Sequence, residues 1–211
     1  MSTATAAHDE AAYDLVPEDL DAGAGRPRVL LVGTALAGAG IIVYFAALVG
    51  MYLRVRHGVL VAGDEWFADG QSIPLTPANM AMGTMLLSCV SMQWAVDAVK
   101  HDDRRNAIFG LALTALFGGA VINATSFLYS QAGFTLSAGA SNPAGLLFYA
   151  VTGSHLALIV GALLFAVIMT VRTFGGGYGS HDREGVVAAS LIWYLTTAIL
   201  AVVWYAVYVT K

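Results

Sequence analysis

Chemistry in this chain has one natural starting point, His155, the only ionisable side chain deep inside a long apolar run. An imidazole in such a setting can ligate a metal, relay a proton or anchor a helix. A haem or copper site would need further donors. The remaining histidines, His8, His57, His101 and His181, fall in the N-terminal stretch or between apolar runs. The single cysteine, Cys89, lies in an apolar run, which excludes an intrachain disulfide and a thiolate metal cage; it reads as a small buried residue. His155 is therefore expected to hydrogen-bond a neighbouring helix, a lipid or a partner subunit rather than to hold a metal.

Two further stretches invite a functional reading. Asp97 precedes Lys100-His101-Asp102-Asp103-Arg104-Arg105, which could collect protons or touch lipid headgroups, but a solvated turn beside a membrane is the preferred reading. Gly175-Gly176-Gly177-Tyr178-Gly179-Ser180 lacks the Gly-Lys-Ser/Thr ending of a phosphate cradle and follows no strand, so it reads as a flexible loop. No Ser/His/Asp set, paired carboxylates or His-x-x-x-His occurs within the apolar runs. Ion-coupled carriers place ionisable groups along an internal path, and here that path is nearly bare. A supporting bundle is expected, with a small transporter as the alternative from another class.

The elements that must position these residues follow from composition. The 211 residues are 58% hydrophobic and 11% charged, against about 25% charged in soluble domains. Six of the fourteen acidic residues lie in the first 21 positions, so 1–27 is expected to be a disordered acidic cytoplasmic tail and 28–211 a membrane domain. No basic face exists to bind nucleic acid. Crossing hydrocarbon takes about 20 mostly apolar residues, and five stretches qualify: Arg28 to Leu53, Pro77 to Val99, Ala107 to Tyr129, Pro143 to Val171 and Val186 to Val209. Backbone groups left unpaired in lipid are too costly, so the predicted fold class is an all-α integral membrane bundle of five transmembrane helices.

Orientation follows from the basic residues. With the N-terminus cytoplasmic, Arg26, Arg28, Lys100, Arg104, Arg105, Arg172 and Arg183 lie inside, against Arg54, Arg56 and Lys211 outside; this favours a cytoplasmic N-terminus and an external C-terminus. Tyr52, Trp66, Tyr129, Trp204, Tyr205 and Tyr208 then sit near outer span ends, where amphipathic rings settle at the interface. Small residues recur every fourth position, Ala46 and Gly50 in the first span and Gly153, Ala157 and Gly161 in the fourth. Such ridges serve packing within the bundle or docking on another subunit equally well.

Three stretches together resemble subunit III of the haem-copper (cytochrome c) oxidases. Ile41 to Tyr52, with Tyr44-Phe45-Ala46, is similar to the family's first core helix. Phe148-Tyr149-Ala150-Val151-Thr152-Gly153-Ser154-His155 resembles its strongest motif, an aromatic-rich Thr-Gly-x-His helix. Leu191-Ile192-Trp193, opening a helix that ends at Trp204 to Lys211, resembles the C-terminal span. The resemblance implies the shorter five-helix form, without redox centres of its own, and haem and copper in partner subunits. It also implies the catalytic subunit I, other oxidase subunits and membrane phospholipid as partners, and a bacterial plasma membrane as location. Lipid or subunit contact is expected at His155, Thr152, Gly153, Trp193, Tyr44 and Phe45. The chain departs from the family where Ile41 replaces a buried glutamate, Leu158 a second histidine, Tyr194 and Thr197 a His and an Asp, and Asn123-x-x-Ser126 a Gln-x-x-Glu. These departures leave a second reading, a subunit III-like accessory protein of a nitric oxide reductase or a monooxygenase.

Overall fold

The computed structural model describes residues 28–67, 71–134, 143–179 and 182–210; the proposed tail, 1–27, lies outside them, as do His8 and His181. Among the described residues the architecture is all-α. Five long helices follow one another: α1 (Val29–Val61), α2 (Leu75–Lys100), α3 (Arg104–Gln131), α4 (Pro143–Phe174) and α5 (Glu184–Val203), the last continued by one π-helical turn, Trp204–Val209. At ~1.5 Å per residue the 26 residues of α2 extend ~39 Å, and the 20 of α5 before its π turn ~30 Å, enough to cross the ~30 Å of hydrocarbon.

Four helices, α1, α3, α4 and α5 with its π turn, are both long and apolar enough to cross a membrane. The second expected span, α2, has the length but carries Asn79, Ser88, Ser91, Gln93 and Asp97. The first four of these side chains are bonded to other helices or within the bundle, so the polarity of α2 is spent on its neighbours.

Packing makes α5 the hub. It touches α1, α2 and α4, while α2 and α3 form the most extensive seam and α1 packs chiefly on α4 and α5. Burial agrees: 56% of the apolar window of α5 is enclosed against 17% of that of α1. Two apolar clusters fill the bundle. One, around Met85, Met92, Leu111, Ile159 and Trp193, occupies the half nearer the α2–α3 turn. The other, around Phe45, Tyr52, Trp66, Phe148 and Tyr208, occupies the opposite half.

Small residues make the closest approaches, though not those of the expected ridges. A Cβ on Gly110 would lie 3.0 Å from Ser91 O and from Ala95 N, and one on Gly118 would lie 2.7 Å from Trp193 Cη2. Absence of a side chain there lets α3 close on α2 and on the indole. Gly50, Gly153 and Gly161 meet nothing within 4 Å.

Three local features differ from the sequence reading. α1 runs on to Val61, past Leu53, because Arg56 Nη1 donates to Thr210 Oγ1 (3.0 Å) and Val55 and Val59 pack on the second cluster; long basic side chains let a helix leave hydrocarbon without ending. The outer aromatic residues are mostly core rather than interfacial belt. Tyr52, Trp66 and Tyr208 are buried, Trp66 Nε1 donates to Tyr52 Oη (3.2 Å), and edge contacts link Tyr129, Phe134, Phe148, Tyr149 and Tyr208; Tyr205 alone of this set is well exposed, at 62%. Finally, Gly175 to Gly179 form a tied turn. Gly175, Gly176 and Gly177 donate backbone N–H groups to Val171, Thr173 and Arg172, and Gly179 pairs with Asp182. Only Gly176, at φ +81°, needs glycine's left-handed freedom.

Candidate functional site

His155 faces the interior of the bundle from the middle of α4 and is 4% exposed. Its Nε2–H donates to the backbone carbonyl of Thr196 on α5, 3.0 Å away, and Phe45 of α1 meets the ring edge-on at 6.2 Å between centroids. One residue earlier on each helix, the Tyr44 and Ser154 hydroxyls share a hydrogen bond of 2.8 Å. One turn of α4 thus joins α1 and α5 at the same level.

Thr152 works on the other side of α4. Its Oγ1 accepts from Tyr129 Oη of α3 (2.9 Å) and donates to Phe148 O (2.7 Å). A threonine that bonds back to its own helix has an oxygen left to accept from a neighbour, so α3 gains a partner without exposing a free polar group in lipid.

The α5–α2 seam is held by four side-chain pairs. Trp204 Nε1 donates to Asn79 Oδ1 (2.8 Å), Trp193 Nε1 to Ser88 Oγ (2.8 Å) and Tyr194 Oη to Gln93 Oε1 (2.8 Å), while Cys89 Sγ and Thr197 Oγ1 lie 3.1 Å apart. Ser88 in turn donates to Met85 O. Trp193 is fully buried, its ring over Gly118.

Four of the six residues expected at contacts, His155, Thr152, Phe45 and Trp193, are thus buried inside the chain and hold its helices together. Tyr44 is 52% exposed and Gly153 has open space beyond it, so these two reach the outer surface of the α1–α4 pair. Four of the positions at which the resemblance implies a different residue fall into two groups. Ile41 and Leu158 both pack against the apolar cluster that contains Phe45 and Phe148. Tyr194 and Thr197 both bond α2. A buried acid or imidazole is costly without its partner, and here both members of each pair are uncharged.

At the α2–α3 turn, Asp97 is exposed beside Lys100 (3.9 Å) and His101 (3.8 Å), the geometry of a solvated turn. Asp103 caps α3, its carboxylate accepting from Asn106 N (3.1 Å) and Nδ2 (2.6 Å), which holds its pKa below the ordinary carboxylate value. Arg104 Nε donates to Thr173 O (3.0 Å) and ties this turn to the end of α4, where Arg172 lies over the Tyr178 ring at 5.0 Å. Burial pushes the Tyr178 phenol up, while Arg172 pulls it down. Across the same face, Glu184 Oε1 accepts from Leu31 N at the start of α1 (2.8 Å). Among the described residues no three His, Cys, Asp or Glu side chains converge as a metal-binding group.

Sequence reasoning passes over Ser88, Gly110 and Gly118, and reads Tyr129 only as an interfacial ring, not as a donor to Thr152. Ser88 carries no signal of its own, since one hydroxyl among many in an apolar run identifies nothing; the bond partners Trp193 and Thr152 are legible only through the family resemblance. Gly110 and Gly118 form their own small-residue ridge with Thr114 at four-residue spacing, which was the available signal.

Comparison with known proteins accords with this architecture. The family described as "Cytochrome c oxidase subunit III" matches residues 35–211. A "Probable cytochrome c oxidase subunit 3" of Nocardia farcinica is 23% identical over 189 residues, covering 88% of this chain and 88% of the relative. The "Cytochrome c oxidase subunit 3" of Xenopus laevis is 32% identical over 152 residues, 70% of this chain and 55% of the relative. That of Strongylocentrotus purpuratus is 26% identical over 149 residues, 69% of this chain and 56% of the relative. The chain spans little more than half the length of these two animal relatives. With nearly all of the membrane bundle inside the matched range, the chain belongs to the cytochrome c oxidase subunit III family.

Proposed function

We propose that this chain serves as the non-redox subunit III of a haem-copper terminal oxidase, supporting assembly and stability of the catalytic subunit I and binding phospholipid. The observation that carries the reading is the family match across residues 35–211. Beside it stands the fate of the buried imidazole: His155 is spent on a helix carbonyl rather than on a route across the membrane. The complete oxidase would pass electrons from cytochrome c to oxygen, with haem and copper held by the partner subunits.

All five helices are taken to span a bacterial plasma membrane, with the α2–α3 and α4–α5 turns in the cytoplasm and the C-terminus outside, as the basic residues favour. The match to the bacterial relative over 88% of both chains supports that location. Gly153 and Gly161, which no internal residue fills, and the exposed Tyr44, bonded to Ser154 beside Gly153, are assigned to contact with subunit I or its bound lipid. His155, Thr152, Phe45 and Trp193 position that surface from behind.

A second reading has a specific observation in its favour. Where the resemblance implies ionisable side chains this chain carries Ile41, Leu158, Tyr194 and Thr197, which suits an accessory subunit of a nitric oxide reductase or a monooxygenase. Purification in mild detergent through a tag on this chain discriminates the two. Copurification of a haem-copper oxidase subunit I with cytochrome c-dependent oxygen uptake is expected. Copurification of a nitric oxide reductase or monooxygenase instead would overturn the oxidase assignment.

A further inference from the structure

The family relationship leaves unused a groove of about 650 Å³ on the outer face of the α2–α3 seam, beside the α2–α3 turn. Trp94 and Phe109 form its floor, 42% and 58% exposed and meeting edge-on at 5.5 Å between ring centroids. Asp103, Arg105 and Asn106 form its rim. Arg105 is exposed and makes no close ion pair among the described residues, its charge acting on Asp103 only at longer range, whereas Arg104 beside it is drawn away to Thr173 O. Arg105 lies four residues from Phe109, one helical turn or ~6 Å along α3. Charge therefore sits one turn above two aromatic rings, the vertical order of a phospholipid: headgroup, glycerol, acyl chain.

We propose that this groove binds a phospholipid with a primary-amine headgroup. The phosphate takes Arg105, the ammonium takes Asp103, and one acyl chain lies along Trp94 and Phe109. Asn106 occupies one acceptor site on each Asp103 oxygen and the Arg105 backbone N–H also acts on the carboxylate, which has about four such sites when ionised, so room remains for one ammonium N–H. A glycerol headgroup offers the carboxylate hydroxyl donors but no positive charge, and so only the weaker, uncompensated bond. A choline headgroup has no N–H to donate. Charge complementarity at the rim thus selects within phospholipids, while the exposed rings suit an acyl chain at interfacial depth. The inference rests on the membrane reading above and does not depend on which complex the chain joins.

Fluorescence quenching in vesicles tests it. The full chain is reconstituted in phosphatidylcholine doped with chain-brominated phosphatidylethanolamine, phosphatidylglycerol or phosphatidylcholine, and the Trp94 signal is taken as the difference between the parent and Trp94→Phe. Brominated phosphatidylethanolamine should reach half-maximal quenching of Trp94 at a mole fraction about two- to fivefold lower than the other two, the range an exposed ion pair supplies. Asp103→Asn, which keeps a good helix cap, should erase that preference, and Arg105→Gln should raise the mole fraction needed. Equal quenching by all three lipids, a preference for phosphatidylglycerol, or a preference that survives Asp103→Asn would overturn the site while leaving the membrane reading intact. In the complex purified with this chain, Trp94 shielded from every brominated lipid would mean that a partner subunit fills the groove, and the proposal would fail.

Discussion

Replacing His155 by leucine and, separately, by alanine distinguishes what its bond contributes from what its volume contributes. Leucine removes the 3.0 Å bond to Thr196 O but keeps an apolar side chain against Phe45. Hydrogen bonds between transmembrane helices are worth about 0.6–2 kcal/mol. The Thr196 carbonyl is not stranded, because it lies inside α5 and has its own i+4 amide. The imidazole's demand for a partner also disappears with it, so His155→Leu should cost about 1 kcal/mol. Alanine loses the same bond and opens a cavity at a site only 4% exposed, a further penalty of about 2 kcal/mol or more. At 1.4 kcal/mol per factor of ten, alanine should therefore shift the equilibrium between packed and separated helices roughly 30-fold beyond leucine. Reversible unfolding in mixed micelles measures that ratio, and retention of the chain in the purified complex reports it during turnover. Initial oxygen consumption per haem should stay near the parent value in the leucine variant. A collapse of that initial rate in a fully assembled leucine variant, with an altered pH profile, would refute a structural role and point to proton transfer.

Gly118→Ala should destabilise the bundle by up to about 2 kcal/mol, because overpacking costs about 1–3 kcal/mol against a helix gain of about 1; combining it with Trp193→Phe should cost less than the two changes added, measured as a double-mutant cycle. A cysteine at Gly177 should be labelled by a membrane-impermeant maleimide only from the cytoplasm, and one at Thr210 only from outside; the reverse pattern would invert the topology. Asp103 has its native pKa lowered by Asn106, so its capping contribution is complete above the ordinary value of 3.8 and is lost as pH falls through the lower native value. Asp103→Asn should then flatten the acid limb of a stability-against-pH curve that the parent shows. Metal analysis and a visible spectrum of the isolated chain should find no stoichiometric haem, copper or zinc, since stable sites of these metals require several converging donors.

The number of helices was legible because an apolar run of some 20 residues admits one backbone solution in lipid. Their ends were not: Arg54, Arg56 and His57 look like a loop until Thr210 is brought beside them by the far end of α5. His155 could be singled out as a residue that must find a partner, yet its partner is the main chain at Thr196, and a backbone carbonyl has no signature in a sequence. Aromatic residues near span ends were read by depth alone, whereas depth does not tell a lipid-facing ring from one turned inward. Tyr205 and Tyr208 are three residues apart on the same turn, one exposed and one buried. Glycine spacing found candidate ridges without saying which were filled. Gly118 is filled by an indole 75 positions further along the chain, a contact that only the assembled α3–α5 geometry creates.

The placement of α1 has a consequence for biosynthesis. Its main partners are α4 and α5, and roughly 120 residues separate its last residue, Val61, from Glu184 at the start of α5. At about 5–20 residues per second, the ribosome takes on the order of 6–25 s to supply the helix that completes its seat. Until α4 emerges with His155, Phe45 has only lipid or a foreign helix to rest against, and the α5 side of its seat stays open longer still. The α2–α3 hairpin, joined by three residues, can meanwhile close as soon as it emerges. The bundle is thus built from its middle outward, and its first helix is among the last to be seated.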